Sequence, residues 1–353
     1  MSRPAFAWTG IRPDDAGFVP DLAARLDAMR AEGHLPNLHG VVAERGGRIF
    51  LERYFAGRDQ DWGRDLGAVA FGPETLHDLR SVTKSIVGLL YGIALAEGRV
   101  PPPEAPLLAQ FPDCADLAAD PARTRWTIAH TLTMTLGTEW DETLPYSDPR
   151  NSEIAMECAP DRYRFILDRP IVAEPGTRWS YNGGATALLG ALIARGTGRA
   201  LPDYARAALF DPLGIGPTGW ARGPDGVPSA ASGLRMAPRD LARIGRMMLG
   251  GGRWDGRQAV PEAWIDAARR PQAALPDGRG YGYQWYRGLF GQGEVAHPEP
   301  WTGAIGNGGQ RLYLLSRLDV TVTITAGNYN LPDQWIPPIL LLREVILAGL
   351  REG

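Results

Sequence analysis

A serine and a lysine three residues apart, Ser81 and Lys84, form the spacing in this chain best suited to chemistry. They lie in His77-Asp78-Leu79-Arg80-Ser81-Val82-Thr83-Lys84-Ser85-Ile86-Val87-Gly88-Leu89-Leu90. This stretch reads as a turn ending in a serine that opens an apolar helix to about Glu97, stopped by Gly98 and three prolines at 101–103. At that spacing both side chains share one helix face. A serine in a first helical turn also sits near free backbone N–H groups and the positive end of the helix dipole, where an oxyanion is best held. Lys84 is the only lysine: of 37 Lys plus Arg, 37 − 1 = 36 are arginine. Arginine cannot release its proton in a protein, whereas a desolvated lysine can. With nine serines in the chain, chance would set a lone lysine three after one of them in about one case in forty. Ile86, Val87, Leu89 and Leu90 argue for a buried helix rather than a solvated one.

A serine hydroxyl attacks only when a neighbour takes its proton. No histidine is placed for this by motif; His77 precedes the serine by four, and the other four histidines stand in unrelated contexts. Gly-x-Ser-x-Gly is absent, which argues against an α/β-hydrolase with a Ser-His-Asp triad. A Ser-x-x-Lys enzyme instead wants a third polar group, usually a tyrosine, and a strand N–H to complete an oxyanion hole.

The rest of the chain must position that pair. Leu22 to Met29 has helical apolar spacing, with Asp21 as N-cap and Gly33 beyond its end. Gly40 to Arg45 and Arg48 to Phe55 read as strands joined at Gly46-Gly47, followed by a polar loop from Gly57 to Thr75. Helices are expected over Thr127 to Leu136, Ala185 to Ala194, Pro202 to Phe210 and Pro238 to Leu249. Strands return at Tyr281 to Tyr286, Arg311 to Ser316 and Val320 to Thr325, before an apolar helix from Trp335 to Leu347. Strands from both ends with helices between them predict one antiparallel sheet flanked by terminal helices, with a helical insertion and the site at the seam.

Composition narrows the function. With 353 residues, 44% apolar and 22% charged, the chain has the make-up of an ordinary soluble globular protein, and a net charge of −3 gives no case for nucleic acid. No segment is long and apolar enough for a membrane span, and Met1 to Gly10 has no signal architecture, so a cytoplasmic location is expected. Cys114 and Cys158 are in no metal or redox spacing and read as free, partly buried thiols. Gly214-Ile215-Gly216-Pro217-Thr218-Gly219 fits Gly-x-Gly-x-x-Gly but follows a helix and carries a proline, so it reads as a turn.

Ser81-Val82-Thr83-Lys84 resembles the first signature of the serine β-lactamase and penicillin-binding-protein superfamily, nearest to its class C-like branch of carboxylesterases and 6-aminohexanoate-dimer hydrolases. Pro175-Gly176-Thr177-Arg178-Trp179-Ser180-Tyr181-Asn182-Gly183 resembles the second, Tyr-x-Asn, signature. Gly306-Asn307-Gly308-Gly309-Gln310, before a strand, resembles the third, Lys/His-Thr-Gly. Supporting likeness lies in Thr127 to Leu132, Ala231-Ser232-Gly233-Leu234-Arg235-Met236 and Tyr281-Gly282-Tyr283-Gln284-Trp285, so the resemblance spans roughly residues 35 to 330. Two departures disfavour β-lactam hydrolysis: Gly183 stands where the second signature has its asparagine, and Asn307 where β-lactamases carry a lysine. No Glu-x-x-Leu-Asn element is present, so no glutamate-activated deacylating water is expected.

The resemblance implies an α+β, β-lactamase-like fold, with residues 1–80 and 231–353 as a discontinuous sheet domain and 81–230 as a mainly helical insertion. It implies a serine hydrolase cleaving an ester or amide through an acyl-enzyme on Ser81, activated by Lys84 and Tyr181. Backbone N–H groups of Ser81 and Gln310 would form the oxyanion hole, and Tyr146, Asn307, Gly308 and Gly309 would meet the substrate. No metal or cofactor is implied; the partner is a small-molecule substrate, and a homodimer is allowed. The alternatives are a 6-aminohexanoate-oligomer amidase, an acyltransferase on the same scaffold, and a catalytically silent peptide-binding or scaffold relative.

Overall fold

The computed structural model describes residues 7–291 and 298–351. Nine strands form one sheet, in the order Thr9–Gly10, Arg48–Tyr54, Leu38–Arg45, Val320–Ala326, Gln310–Leu315, Glu299–Gly306, Tyr286–Phe290, Gly280–Tyr281 and Ala273–Ala274. Every pair is antiparallel except the first, and the N-terminal hairpin lies directly against the C-terminal strands. Gly46 and Gly47 both take positive φ, 58° and 81°, as a tight hairpin turn that matches strand twist requires.

The alternation Val320-Thr-Val-Thr-Ile-Thr325 divides the sheet into two faces. Val320, Val322 and Ile324 pack with Leu22 and Leu26 of the helix Leu22–Ala31 and with Leu341, Leu342, Val345 and Ile346 of the C-terminal helix. The threonines face the helix Pro238–Leu249, where a Cβ at Gly245 would come within 2.8 Å of Leu312 and 3.1 Å of Thr321. A larger residue there would push the helix off the sheet.

The serine helix, Val82–Ala96, is buried over most of its length and packs on the helix Gly183–Thr197. Two glycines let neighbours approach it: Trp264 covers Gly92 and donates from Nε1 to the Gly88 carbonyl at 2.9 Å. Ser85 donates to the Gln284 carbonyl at 2.6 Å, and the Gln284 side chain bonds Thr186, Thr131 and Leu132. This polar lock in an apolar core fixes the helix against the chain that returns to the sheet.

Four local expectations differ. The polar stretch after Gly57 is a hairpin, Gly57–Asp61 with Arg64–Val69, turning at Trp62-Gly63, where φ is 48° and 96°. The helix expected over Thr127 to Leu136 is only Ile128–Leu132, because Met134 takes φ 56° and the chain turns back. The run Tyr281 to Tyr286 is broken by Gln284 at φ 65°, which separates two strands. Cys158 is exposed, while Cys114 is buried as expected. Part of the stretch from Gly288 to Trp301 lies outside the described residues.

Candidate active site

Ser81 sits at the N-terminus of its helix, on a turn held in an unusual shape. Arg80 immediately before it has φ 49°, a left-handed conformation that costs a non-glycine residue about 1 kcal/mol. The turn is pinned by Asp78, whose carboxylate accepts from the Trp62 N–H at 2.7 Å and pairs with Arg80 at 3.1 Å and Arg235 at 3.0 Å. Val82 and Thr83 N–H groups are taken by the Leu79 and Arg80 carbonyls, and among the described residues nothing accepts from the Ser81 N–H.

Lys84 Nζ donates to Ser81 Oγ at 3.1 Å, to the Ala231 carbonyl at 3.0 Å and to Glu153 Oε2 at 3.1 Å. Its side chain and that of Glu153 are each 2% exposed. Tyr181 lines the same cavity as Ser81, and Lys84 Nζ lies 4.9 Å from the centre of its ring. Burial, followed by Tyr286, Glu142 and Glu153, pushes the Tyr181 phenol well above its ordinary pKa. Tyr181 therefore rests as a neutral phenol, a proton donor.

Two carboxylates at this site escaped the sequence reading. Glu153 also accepts from Ser232 at 2.6 Å. Glu142 accepts from Trp140 Nε1 and the Gly183 N–H at 2.6 Å each, and from the Tyr146 hydroxyl at 2.8 Å. Burial first, and then the Glu153 charge, raise the Glu142 carboxyl to about 7, whereas the Lys84 ammonium and the Ser232 and Lys84 hydrogen bonds hold Glu153 below its ordinary value. The opposite directions of these shifts favour the proton on Glu142 and the charge on Glu153.

The second-signature departure now has a physical cause. Asn182 caps the following helix by accepting from the Ala185 N–H at 3.0 Å. At Gly183 a Cβ would collide with Glu153 Oε2 and come within 3.0 Å of Glu142 Oε1. The carboxylate pair fills the space that a side chain two after the tyrosine would occupy.

Two connected cavities reach Ser81, of about 310 and about 530 Å³. Tyr146 and Asn307 line both, and Tyr181, Tyr286, Ile305 and Trp335 line the larger. The Asn307 amide is engaged with Asn330, donating at 3.1 Å and accepting from its N–H at 2.9 Å. Gly308, Gly309 and Gln310 do not line these cavities; they form the turn behind Asn307, where the Gly308 N–H is taken by the Gln334 side chain. Gln310 is fully buried, and its side chain ties that turn to Ala326. The expected site residues thus divide into Ser81, Lys84, Tyr181, Tyr146 and Asn307 around the cavities, and three further back. Neither acid carried a motif: Asn151 caps the helix whose first turn holds Glu153, which in sequence is only an ordinary helix start.

A serine helix opening at the seam of an antiparallel sheet and a helical layer, its hydroxyl bonded to a buried lysine, is the frame of a serine hydrolase, and the comparisons agree. The beta-lactamase family model matches residues 22–333, and the chain belongs to that family. It is 27% identical over 346 residues to the 6-aminohexanoate-dimer hydrolase of Paenarthrobacter ureafaciens, covering 89% of this chain and 77% of that protein. It is 28% identical over 318 residues to Esterase EstB of Burkholderia gladioli, covering 74% and 79%. Among solved structures, EstCE1, a hydrolase with promiscuous acyltransferase activity, matches with a TM-score of 0.74 at 17% identity, over 92% of this chain and 98% of that one. The octameric penicillin-binding protein homologue from Pyrococcus abyssi matches at 0.68 and 20%, over 94% and 77%. Among the described residues no helix is long and apolar enough to cross a membrane.

Proposed function

We propose that this enzyme hydrolyses a small ester or amide through an acyl-enzyme on Ser81. The observation that carries the reading is the contact of Ser81 Oγ with Lys84 Nζ at 3.1 Å, at the floor of a cleft and beside a neutral tyrosine. As a neutral amine, Lys84 takes the Ser81 proton as Oγ attacks the carbonyl carbon. The Ser81 N–H, at the positive end of its helix, holds the developing oxyanion with a second N–H from the turn ending at Gln310. Tyr181 protonates the leaving alcohol or amine and recovers its proton from Lys84. Water then enters by the same route in reverse and releases the acid. Tyr146 and Asn307 contact the substrate at the mouth of the cleft. Relatives named for an amide-cleaving and an ester-cleaving activity make both bonds candidates. Turnover of a linear 6-aminohexanoate amide against a p-nitrophenyl ester of a short acid separates them, and hydrolysis of neither by folded protein overturns the reading.

A further inference from the structure

We propose that His39, Asp59 and His77 form a binding site for a divalent transition-metal ion, zinc(II) by its donor set, behind the turn that carries Ser81. The three come from different elements: the strand Leu38–Arg45, the hairpin strand Gly57–Asp61 and the short strand His77–Asp78. No sequence motif joins them. They are 0%, 4% and 0% exposed, and one ligating atom of each lies within 4.8 Å of the others.

The hydrogen bonds around the two rings decide what the rings can offer each other. His77 Nδ1 lies 2.9 Å from the Asp78 carbonyl, an acceptor only, so that nitrogen carries the proton and Nε2 presents a lone pair. His39 Nε2 lies 3.0 Å from Asn37 Oδ1. The Asn37 amide is oriented by its own Nδ2, which donates to the Arg58 carbonyl at 3.0 Å; turning it over would set two oxygens against each other. His39 therefore carries its proton on Nε2, and Nδ1 presents a lone pair. These two inner nitrogens, both acceptors, face each other at 2.8 Å. Asp59 Oδ1 lies 3.7 Å from His77 Nε2 and accepts from Tyr329 at 2.9 Å, while Asp59 Oδ2 is buried with no donor.

Two opposed lone pairs and an unanswered carboxylate oxygen call for one cation. A proton shared by the rings would satisfy the nitrogens alone. A metal ion between them also takes in the Asp59 carboxylate, whose Oδ1 lies 3.7 Å from His77 Nε2. The outer contacts are those of a metal site, in which each ligating imidazole donates its far N–H to an oxygen and the carboxylate is itself hydrogen-bonded. Arg80 and Arg235, the nearby guanidiniums, are already paired with Asp78. Two imidazole nitrogens and one carboxylate with an open position suit zinc. Zinc–nitrogen bonds of about 2.0 Å in tetrahedral geometry place the nitrogens about 3.3 Å apart, so binding would part the rings by about 0.5 Å. The ion would cross-link three elements four residues upstream of the nucleophile, outside the serine chemistry itself.

The test uses tag-free full-length protein. Elemental analysis should find about one zinc per chain. After chelator treatment, titration with ZnCl2 should restore it with a rise in melting temperature, and CoCl2 should give visible absorption bands of a low-coordinate site. Asp59→Asn and His39→Gln should each weaken zinc binding at least tenfold while circular dichroism stays that of the wild type; Asp59→Asn, being nearly isosteric, serves alone should the histidine variant not fold. No zinc uptake by folded wild-type protein overturns the site, as does uptake unchanged in these variants. A single proton found shared between the two ring nitrogens by nitrogen-15 spectroscopy in the presence of zinc overturns it equally.

Discussion

Two buried polar clusters adjoin the turn that carries Ser81, and their charges are balanced differently. On the helix side, Lys84, Glu153 and Glu142 form a closed set in which one ammonium, one carboxylate and one neutral carboxyl answer each other. On the strand side, His39, His77 and Asp59 hold three electron-rich groups with no cation of the protein's own among them. The first cluster carries its countercharge in the sequence, and in the proposed mechanism it moves a proton through Lys84. The second, in the proposed metal site, takes its cation from solution. Burial alone therefore does not mark a reactive centre; what matters is whether a proton has somewhere to go at small cost.

The largest effect should follow from stopping that movement without removing the charge. Lys84→Arg keeps a cation beside Glu153 but cannot release a proton, so kcat/KM for an ester substrate should fall by about 1,000-fold or more. Near-normal turnover would remove the base role. Next, Glu153→Gln leaves the Lys84 ammonium buried without its partner. The chain should lose about 3 kcal/mol by urea denaturation, together with most of its activity. A stability equal to wild type would mean that the ion pair does not hold the cluster. Gly183→Ala tests whether the pair occupies the space of the absent side chain. Its Cβ meets Glu153 Oε2, and the overpacking should cost about 1–3 kcal/mol, with activity falling as the carboxylate is displaced. An unchanged melt and rate would show that the acids move aside freely.

The smallest effect concerns pH. Glu142 is raised from 4.5 to about 7 in the folded chain, so folding favours its protonated form. That contribution is fully present below pH 4.5 and is lost as pH rises through 7. Glu142→Gln, which cannot ionise, should remove this slope and melt higher relative to wild type at pH 8 than at pH 5, by about 1–3 kcal/mol. Parallel melting profiles across that range would show that Glu142 is not the neutral member of the pair.

What could be read from the sequence was local. Ser81 and Lys84 are one helical turn apart, so spacing alone puts them together, and Gly46-Gly47 declares its hairpin through backbone conformation. The alternation of valine and threonine in Val320–Ala326 likewise assigns each side chain to a face. The hairpin after Gly57 was hidden because Arg58, Asp59, Gln60 and Asp61 show no apolar alternation, and its turn begins with Trp62 rather than a residue suited to positive φ. Glu153 reaches Lys84 across 69 residues of chain, and an acid in a helix's first turn ordinarily favours the helix dipole and nothing more. Glu142 sits in a loop whose course depends on Trp140, Gly183 and Tyr146 bonding the same carboxyl. Neither position carries a spacing that a single sequence could display. The third signature shows the converse: within one motif, Asn307 lines the cleft while Gly308 and Gly309 form the turn behind it.

The most direct test of the central claim is intact-mass spectrometry after reaction with a fluorophosphonate, on wild type, Lys84→Arg and Glu153→Gln. One adduct per chain is expected on the wild type, mapping to Ser81, with none on Lys84→Arg and a much slower reaction of Glu153→Gln. An adduct on another serine, or equal labelling of all three proteins, would contradict the assignment of Ser81 as a nucleophile driven by the buried lysine and its carboxylate.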